Sequence, residues 1–157
     1  FMSIIGYTQL SEIVSDHHLT TPGVVLKELD KRVRIALNQN AAGEKNSNDG
    51  MELGLITYYE DQQKIEFSGA MRPLYMVKNG DLHVEKGDCF YLFSDGYADQ
   101  FGGPKGKKFM TKHVGEMLQG ISHLPMSEQG RIVKKTIQDW MKGNDQIDDI
   151  LMAGIKF

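Results

Sequence analysis

The sequence predicts an α+β domain in which helices and antiparallel strands occupy separate blocks. Three observations carry this reading. Apolar residues recur at helical spacing through residues 1–37, and the period changes to two after Asp49. Helical spacing returns after residue 108, and a single strand pattern closes the chain. Elements grouped in this way argue against a doubly wound parallel sheet, which would alternate strand and helix. At 157 residues the chain is the size of one domain, assigned to 1–157.

Met2, Ile5, Leu10, Ile13 and Val14 mark a first amphipathic helix, ending near Ser15, Asp16, His17 and His18. Thr21 is the expected N-cap of a second helix, with Pro22 at its first position. Val24, Val25, Leu29, Val33, Ile35, Ala36 and Leu37 extend that helix to about Asn38. Residues 39–49, rich in Asn, Gly and Ser, predict a surface loop. Met51, Leu53, Leu55, Thr57 and Tyr59 then alternate as a strand. Residues 60–63 turn, 64–68 form a second strand and 73–77 a third. Asn79 and Gly80 are a hairpin signal leading into Leu82, His83 and Val84. Cys89, Phe90, Tyr91, Leu92 and Phe93 are apolar on both parities, so this strand should be central and covered on both faces. A mobile loop is expected over 102–108, helices over 109–118 and 127–142 with Ser127 as N-cap of the second, and a last strand over 150–157.

Composition narrows the function classes. Hydrophobic residues make up 40% and charged residues 25%, which fits a globular core rather than disorder. The longest apolar runs fall far below the roughly 18 residues that a membrane helix needs. No secretory signal pattern is visible, and a cytoplasmic location is expected. Eighteen basic against 21 acidic residues give a net charge of −3, without the broad basic surface of a nucleic-acid binder. One cysteine, Cys89, excludes an internal disulfide and a dithiol motif. It is expected as inert core.

Two acidic sites are the candidates for chemistry. Ser94, Asp95 and Gly96 follow the central strand, so the sheet would fix the backbone of a carboxylate suited to a hard cation. Gly96 permits a sharp exit, and Asp99 lies one helical turn further on. Asp148 and Asp149 stand just before the last strand. Taken singly, an SDG triplet is an ordinary turn and an acid pair an ordinary solvated loop. They become a site only if the fold joins the two strand ends. Adjacent histidines on a helix diverge by about 100°, so His17 and His18 fit a helix C-terminus better than one shared ion. Lys105, Lys107 and Lys108 form a basic loop, either solvated or facing a phosphorylated partner.

Several segments, in order, resemble the SpoIIE-like branch of bacterial metal-dependent serine/threonine phosphatases, of the type 2C class. They are residues 1–6, Asp49 to Leu55, Phe67-Ser68-Gly69-Ala70 with Pro73-Leu74-Tyr75, Leu92 to Asp99, and Asp148-Asp149-Ile150-Leu151. The resemblance implies an antiparallel β-sandwich flanked by helices, the metal-dependent phosphatase fold. It implies hydrolysis of phosphoserine or phosphothreonine by a water held between two Mn²⁺ or Mg²⁺ ions. Carried over by residue, Asp95 and Asp148 become catalytic metal ligands, Asp99 a ligand for a further ion, and Gly96 and Asp149 their supporting neighbours. The family's acidic ligand from upstream strands, and a second Asp with the Gly-His-Gly turn that it precedes, would lie before Phe1. The chain therefore reads as an N-terminally truncated C-terminal portion, itself inactive, of a longer phosphatase.

The implied partners are a phosphorylated regulatory protein, such as an anti-sigma-factor antagonist, and an upstream sensor domain through which the parent could be membrane-tethered. Leu151 stands where the family usually has Thr. Two other readings remain open at this stage: a non-catalytic signalling module with a degenerate phosphatase fold, and a ligand-binding β-sandwich whose acids are only turns. Uncovered strand edges predict self-association, with a symmetric homodimer as its simplest form.

Overall fold

The computed structural model describes residues 2–16, 20–37, 50–78 and 83–157. The expectations for His17 and His18, the loop over 39–49, and the Asn79-Gly80 turn lie outside the described residues. The chain forms two compact units, Phe1–Arg72 and Pro73–Phe157. Among the described residues no helix is long and apolar enough to cross a membrane.

The first unit holds helices α1 (Met2–Asp16) and α2 (Pro22–Ala36) and the antiparallel strands β1 (Leu53–Tyr59) and β2 (Lys64–Ala70). Thr21 caps α2 through its backbone carbonyl, which accepts from the Val24 and Val25 N–H groups, while its hydroxyl makes no cap bond. Pro22 fits the first helical position because its missing N–H would be unpaired there in any case. Ile13, Val25, Leu29 and Val33 form the core of this unit, and Leu53 and Leu55 pack against it. Arg32 ties α2 to α1 through Glu12 at 3.2 Å and is steadied within its own helix by Glu28 at 3.0 Å. The β1–β2 hairpin turns through a 3-10 segment, Glu60–Gln62, and closes on Gln63 at φ 45.

The second unit is built on a three-stranded antiparallel sheet. Strand β4 (Cys89–Phe93) lies between β3 (Tyr75–Val77) and β7 (Met152–Lys156), so the doubly apolar run is central as expected. Cys89 is fully buried. Helix α3 (Asp95–Asp99) follows β4 directly, and α4 (Thr111–Ile121) and α5 (Met126–Met141) complete the unit. Tyr91, Tyr97, Val114, Leu118 and Ile137 share one core with Cys89. Burying each large apolar side chain of this kind contributes about 1.5–3 kcal/mol before entropy is counted. Gln129, buried on α5, accepts from the Tyr91 hydroxyl at 2.7 Å and donates to the Leu124 carbonyl at 2.9 Å.

Three local expectations are corrected. Residues 102–108 are not simply a loop: β5 (Phe101–Gly102) and β6 (Lys107–Lys108) pair as a short hairpin. The Gly103 N–H donates to the Trp140 carbonyl at 2.8 Å, which anchors that hairpin to α5. Phe109 lies outside α4, packed edge-on to Tyr97 and Trp140. Ser127 is inside α5 rather than capping it; Pro125 is the N-cap, and its carbonyl accepts from Glu128 and Gln129 at 3.0 Å.

Candidate metal centre

Strand β4 ends at Phe93, and Ser94 alone separates it from α3. Ser94 fixes that turn. Its N–H donates to the Leu151 carbonyl at 3.0 Å. Its hydroxyl donates to the Asp149 carbonyl at 2.7 Å and accepts from the Leu151 N–H at 2.9 Å. One short side chain thus stitches the end of β4 to the segment entering β7.

Gly96 completes the junction. A Cβ at this position would lie 3.0 Å from the Asp149 carbonyl carbon and closer still to its oxygen. The 148–149 backbone occupies the space that any side chain at 96 would need. This requirement is steric, since Gly96 does not adopt a left-handed conformation. The fold therefore joins the two acidic segments, although they lie far apart in sequence.

Gln100 holds the same segment from the other side. It is fully buried, donates through Nε2 to the Asp145 carbonyl at 2.9 Å, and accepts the Ile147 N–H through Oε1 at 3.3 Å. Gln146 donates to the Asp148 carbonyl at 2.8 Å, and Asp148 Oδ1 accepts the Asp149 N–H at 2.7 Å. Neither Ser94 nor Gln100 was singled out from sequence as a positioning residue. Ser94 belongs to the SDG triplet; a buried glutamine leaves no signal in periodicity.

Asp95, Asp148 and Asp149 are exposed to solvent. Asp99 is half-buried, and its carboxylate pairs with Lys108 Nζ of β6 at 2.9 Å. Among the described residues no three His, Cys, Asp or Glu side chains gather into a metal cage. The donors that are present fit a hard cation in kind. They are carboxylate oxygens on backbones locked together by Ser94 and Gly96, without the sulfur or imidazole donors that softer metals prefer. Asp95 and Asp148 are the residues that would hold it.

No protein-family model matches the chain, and no curated protein does. Among solved structures, the SiaA-PP2C domain of Pseudomonas aeruginosa matches with a TM-score of 0.86 at 24% sequence identity. The match covers 99% of this chain and 69% of that one. The expected fold class, α+β with the architecture of a metal-dependent phosphatase, is borne out by this likeness and by the antiparallel pairing of every strand ladder described. The chain has the fold of a PP2C phosphatase domain.

Proposed function

We propose that the protein contributes the C-terminal part of a metal-dependent serine/threonine phosphatase domain. Its substrate is a phosphorylated regulatory protein, of which an anti-sigma-factor antagonist is one type. The observation that carries this reading is the junction itself: Ser94 and Gly96, on either side of Asp95, fasten the end of a central strand to the backbone that carries Asp148 and Asp149.

In this reading Asp95 and Asp148 present oxygen ligands, and Asp149 supports Asp148. Bound Mn²⁺ or Mg²⁺ supplies charge neutralisation at the phosphoryl oxygens and an acidified water. The remaining ligands come from polypeptide equivalent to the part of SiaA-PP2C that this chain does not match. An upstream sensor is the natural source of control in such an arrangement.

A non-catalytic module is the second reading. It is favoured by the Asp99–Lys108 ion pair, which puts an ammonium where the resemblance expects a further ion. Calorimetric titration with Mn²⁺, and hydrolysis of a phosphoserine peptide by the protein with its domain complete, separate the two. The phosphatase reading expects Mn²⁺-dependent turnover that falls at least about 100-fold in Asp95→Asn and in Asp148→Asn. Turnover unchanged by both substitutions would remove these acids from the site. A complete domain that folds but shows neither Mn²⁺ binding nor turnover would establish the non-catalytic module.

A further inference from the structure

The β5–β6 hairpin places a cationic element next to the acids. It carries Lys105, Lys107 and Lys108 within four residues, all exposed. Like charges this close repel one another, and the fold compensates one of them: Lys108 pairs with Asp99 at 2.9 Å. Lys105 and Lys107 make no ion pair among the described residues, and neither does Lys142 at the end of α5. Elsewhere in the same unit Arg131 pairs with Glu128 and Lys135 with Asp139. A chain of net charge −3 thus concentrates uncompensated positive charge on one short turn.

The hairpin has a fixed base. A Cβ at Gly102 would overlap the Trp140 carbonyl and one at Gly103 the Trp140 ring, so the base lies directly on α5. The Gln100 carbonyl accepts from Trp140 Nε1 and from the Phe109 N–H, each at 3.0 Å. The Gln100 side chain meanwhile holds Asp145 and Ile147. The hairpin and the segment leading to Asp148 therefore hang on one buried residue. Asp95 and Asp99 stand one helical turn apart on the same face of α3, about 6 Å along its axis. The Lys108 ammonium, seated on Asp99, is about one turn of helix from Asp95.

That distance is about two residues of extended chain. A polypeptide with its phosphoresidue at Asp95, running along the hairpin, would meet Lys108 about two residues on, with Lys107 and Lys105 beyond. Lys107 and Lys108 leave β6 on opposite faces, but the ribbon is only two strands, about 5 Å, across, so both ammonium groups act on one segment. Asp95, Asp145, Asp148 and Asp149 are exposed around the junction and would repel an acidic partner. The hairpin offsets that repulsion beside the phosphoryl position.

We infer that the β5–β6 hairpin is a docking element for acidic residues that flank the phosphoresidue of the partner protein. The inference rests on the phosphatase reading in placing that phosphoresidue at Asp95. Three cations on so short a turn match a few acidic side chains rather than the long phosphate track of a nucleic acid.

Fluorescence anisotropy with the metal-free 157-residue chain tests docking apart from turnover. The probes are a labelled phosphoserine peptide with glutamates on both sides, and the same peptide with glutamines in their place. At low salt the acidic peptide should bind at least about fivefold more tightly, and Lys105→Glu with Lys107→Glu should abolish that preference. Lys105→Gln with Lys107→Gln should reduce it, and about 0.5 M salt should remove it. The backbone amide NMR signals of 101–108 should move as the acidic peptide is added. Equal binding of both peptides by the parent chain would overturn the inference, as would a preference that survives charge reversal or hairpin signals that stay still. Tighter binding of an oligothymidylate of equal charge, or of phosphatidylserine vesicles, would overturn it in favour of nucleic acid or a membrane surface. In the complete domain with Mn²⁺, charge reversal should raise KM for the acidic peptide toward that of the neutral one. Docking without turnover there would keep the hairpin as the seat of an acidic partner and remove only the phosphatase reading. Turnover with equal KM for both peptides in the parent domain would do the reverse.

Discussion

Gly96→Ala is the sharpest probe of the junction between the acidic segments. The added methyl would sit 3.0 Å from the Asp149 carbonyl carbon and 3.4 Å from that of Asp148. Both are backbone atoms, so no flexible side chain can swing aside. The 148–149 peptide cannot retreat freely either, because the Asp149 carbonyl and both backbone groups of Leu151 are bonded to Ser94. Overpacking of this kind costs about 1–3 kcal/mol. For a chain of this length that corresponds to a fall in Tm of roughly 2–12 °C. Gly115→Ala is the matched control: it lies inside α4 with nothing within 4 Å of the new Cβ. Relieving a helix-interior glycine should stabilise by about 0.5–1 kcal/mol. Circular-dichroism melts of both variants, with exchange at the Leu151 amide as the local readout, check the argument. If Gly96→Ala melts within 1 °C of the parent with Leu151 still protected, the close approach is not a constraint and the reasoning fails.

Three further outcomes follow from other contacts. Gln129→Leu should cost about 1–3 kcal/mol, measured by urea denaturation, because it leaves the Tyr91 hydroxyl without its buried acceptor. Burial raises the Tyr91 and Tyr97 phenols, and Cys89 adds to the rise at Tyr91. In an alkaline absorbance titration both should therefore ionise after the ordinary tyrosine range near pH 10, and Tyr97→Phe should remove one late step. Glu66 is held below its usual value of 4.5, first by the Lys64 ammonium and then by the Tyr59 hydroxyl. A depressed carboxyl adds stability that is present above its unfolded value and is lost as pH falls through its folded value, so the window lies below about pH 4.5. Tyr59→Phe should raise the Glu66 midpoint in a carboxyl NMR titration.

Much of the fold was legible because it rests on periodicity. Val25, Leu29 and Val33 fall on one face of α2, and those same residues are buried. The run at 89–93 is apolar on both parities, and the strand it forms is paired on both sides. Contacts decided by distant partners were not legible. Phe109 fits a helical pattern but is drawn out of α4 to meet Tyr97 and Trp140, and Met110 adopts φ 77 to allow it. The hairpin over 101–108 has a loop's composition and is held by Trp140 of α5. At the site the acids could be found, because carboxylates at strand ends stand out. Gln100 could not, because its role depends on Asp145 and Ile147, which only the folded chain brings near.

The distribution of burial around the acids leads to a final expectation. Asp95 and Asp148 remain in contact with water. Uncharged groups contribute much of the order in this region: the Ser94 hydroxyl, the close approach at Gly96 and the Gln100 amide. Stability and ligand chemistry are thereby assigned to different residues. Asp95→Asn and Asp148→Asn should leave stability within about 0.5 kcal/mol, and Asn at 148 keeps the oxygen that accepts the Asp149 N–H. Gln100→Leu, which is close in volume, removes both the acceptor of the Ile147 N–H and the donor to the Asp145 carbonyl and frees the 145–147 segment. It should cost about 1–3 kcal/mol. Urea denaturation of the three variants, paired with Mn²⁺ titration, reads both axes. The aspartate variants should lose metal response at unchanged stability, and the glutamine variant should lose stability first. If the aspartate variants are as destabilised as Gln100→Leu, the acids are structural members of the turn and their assignment as metal ligands loses its support.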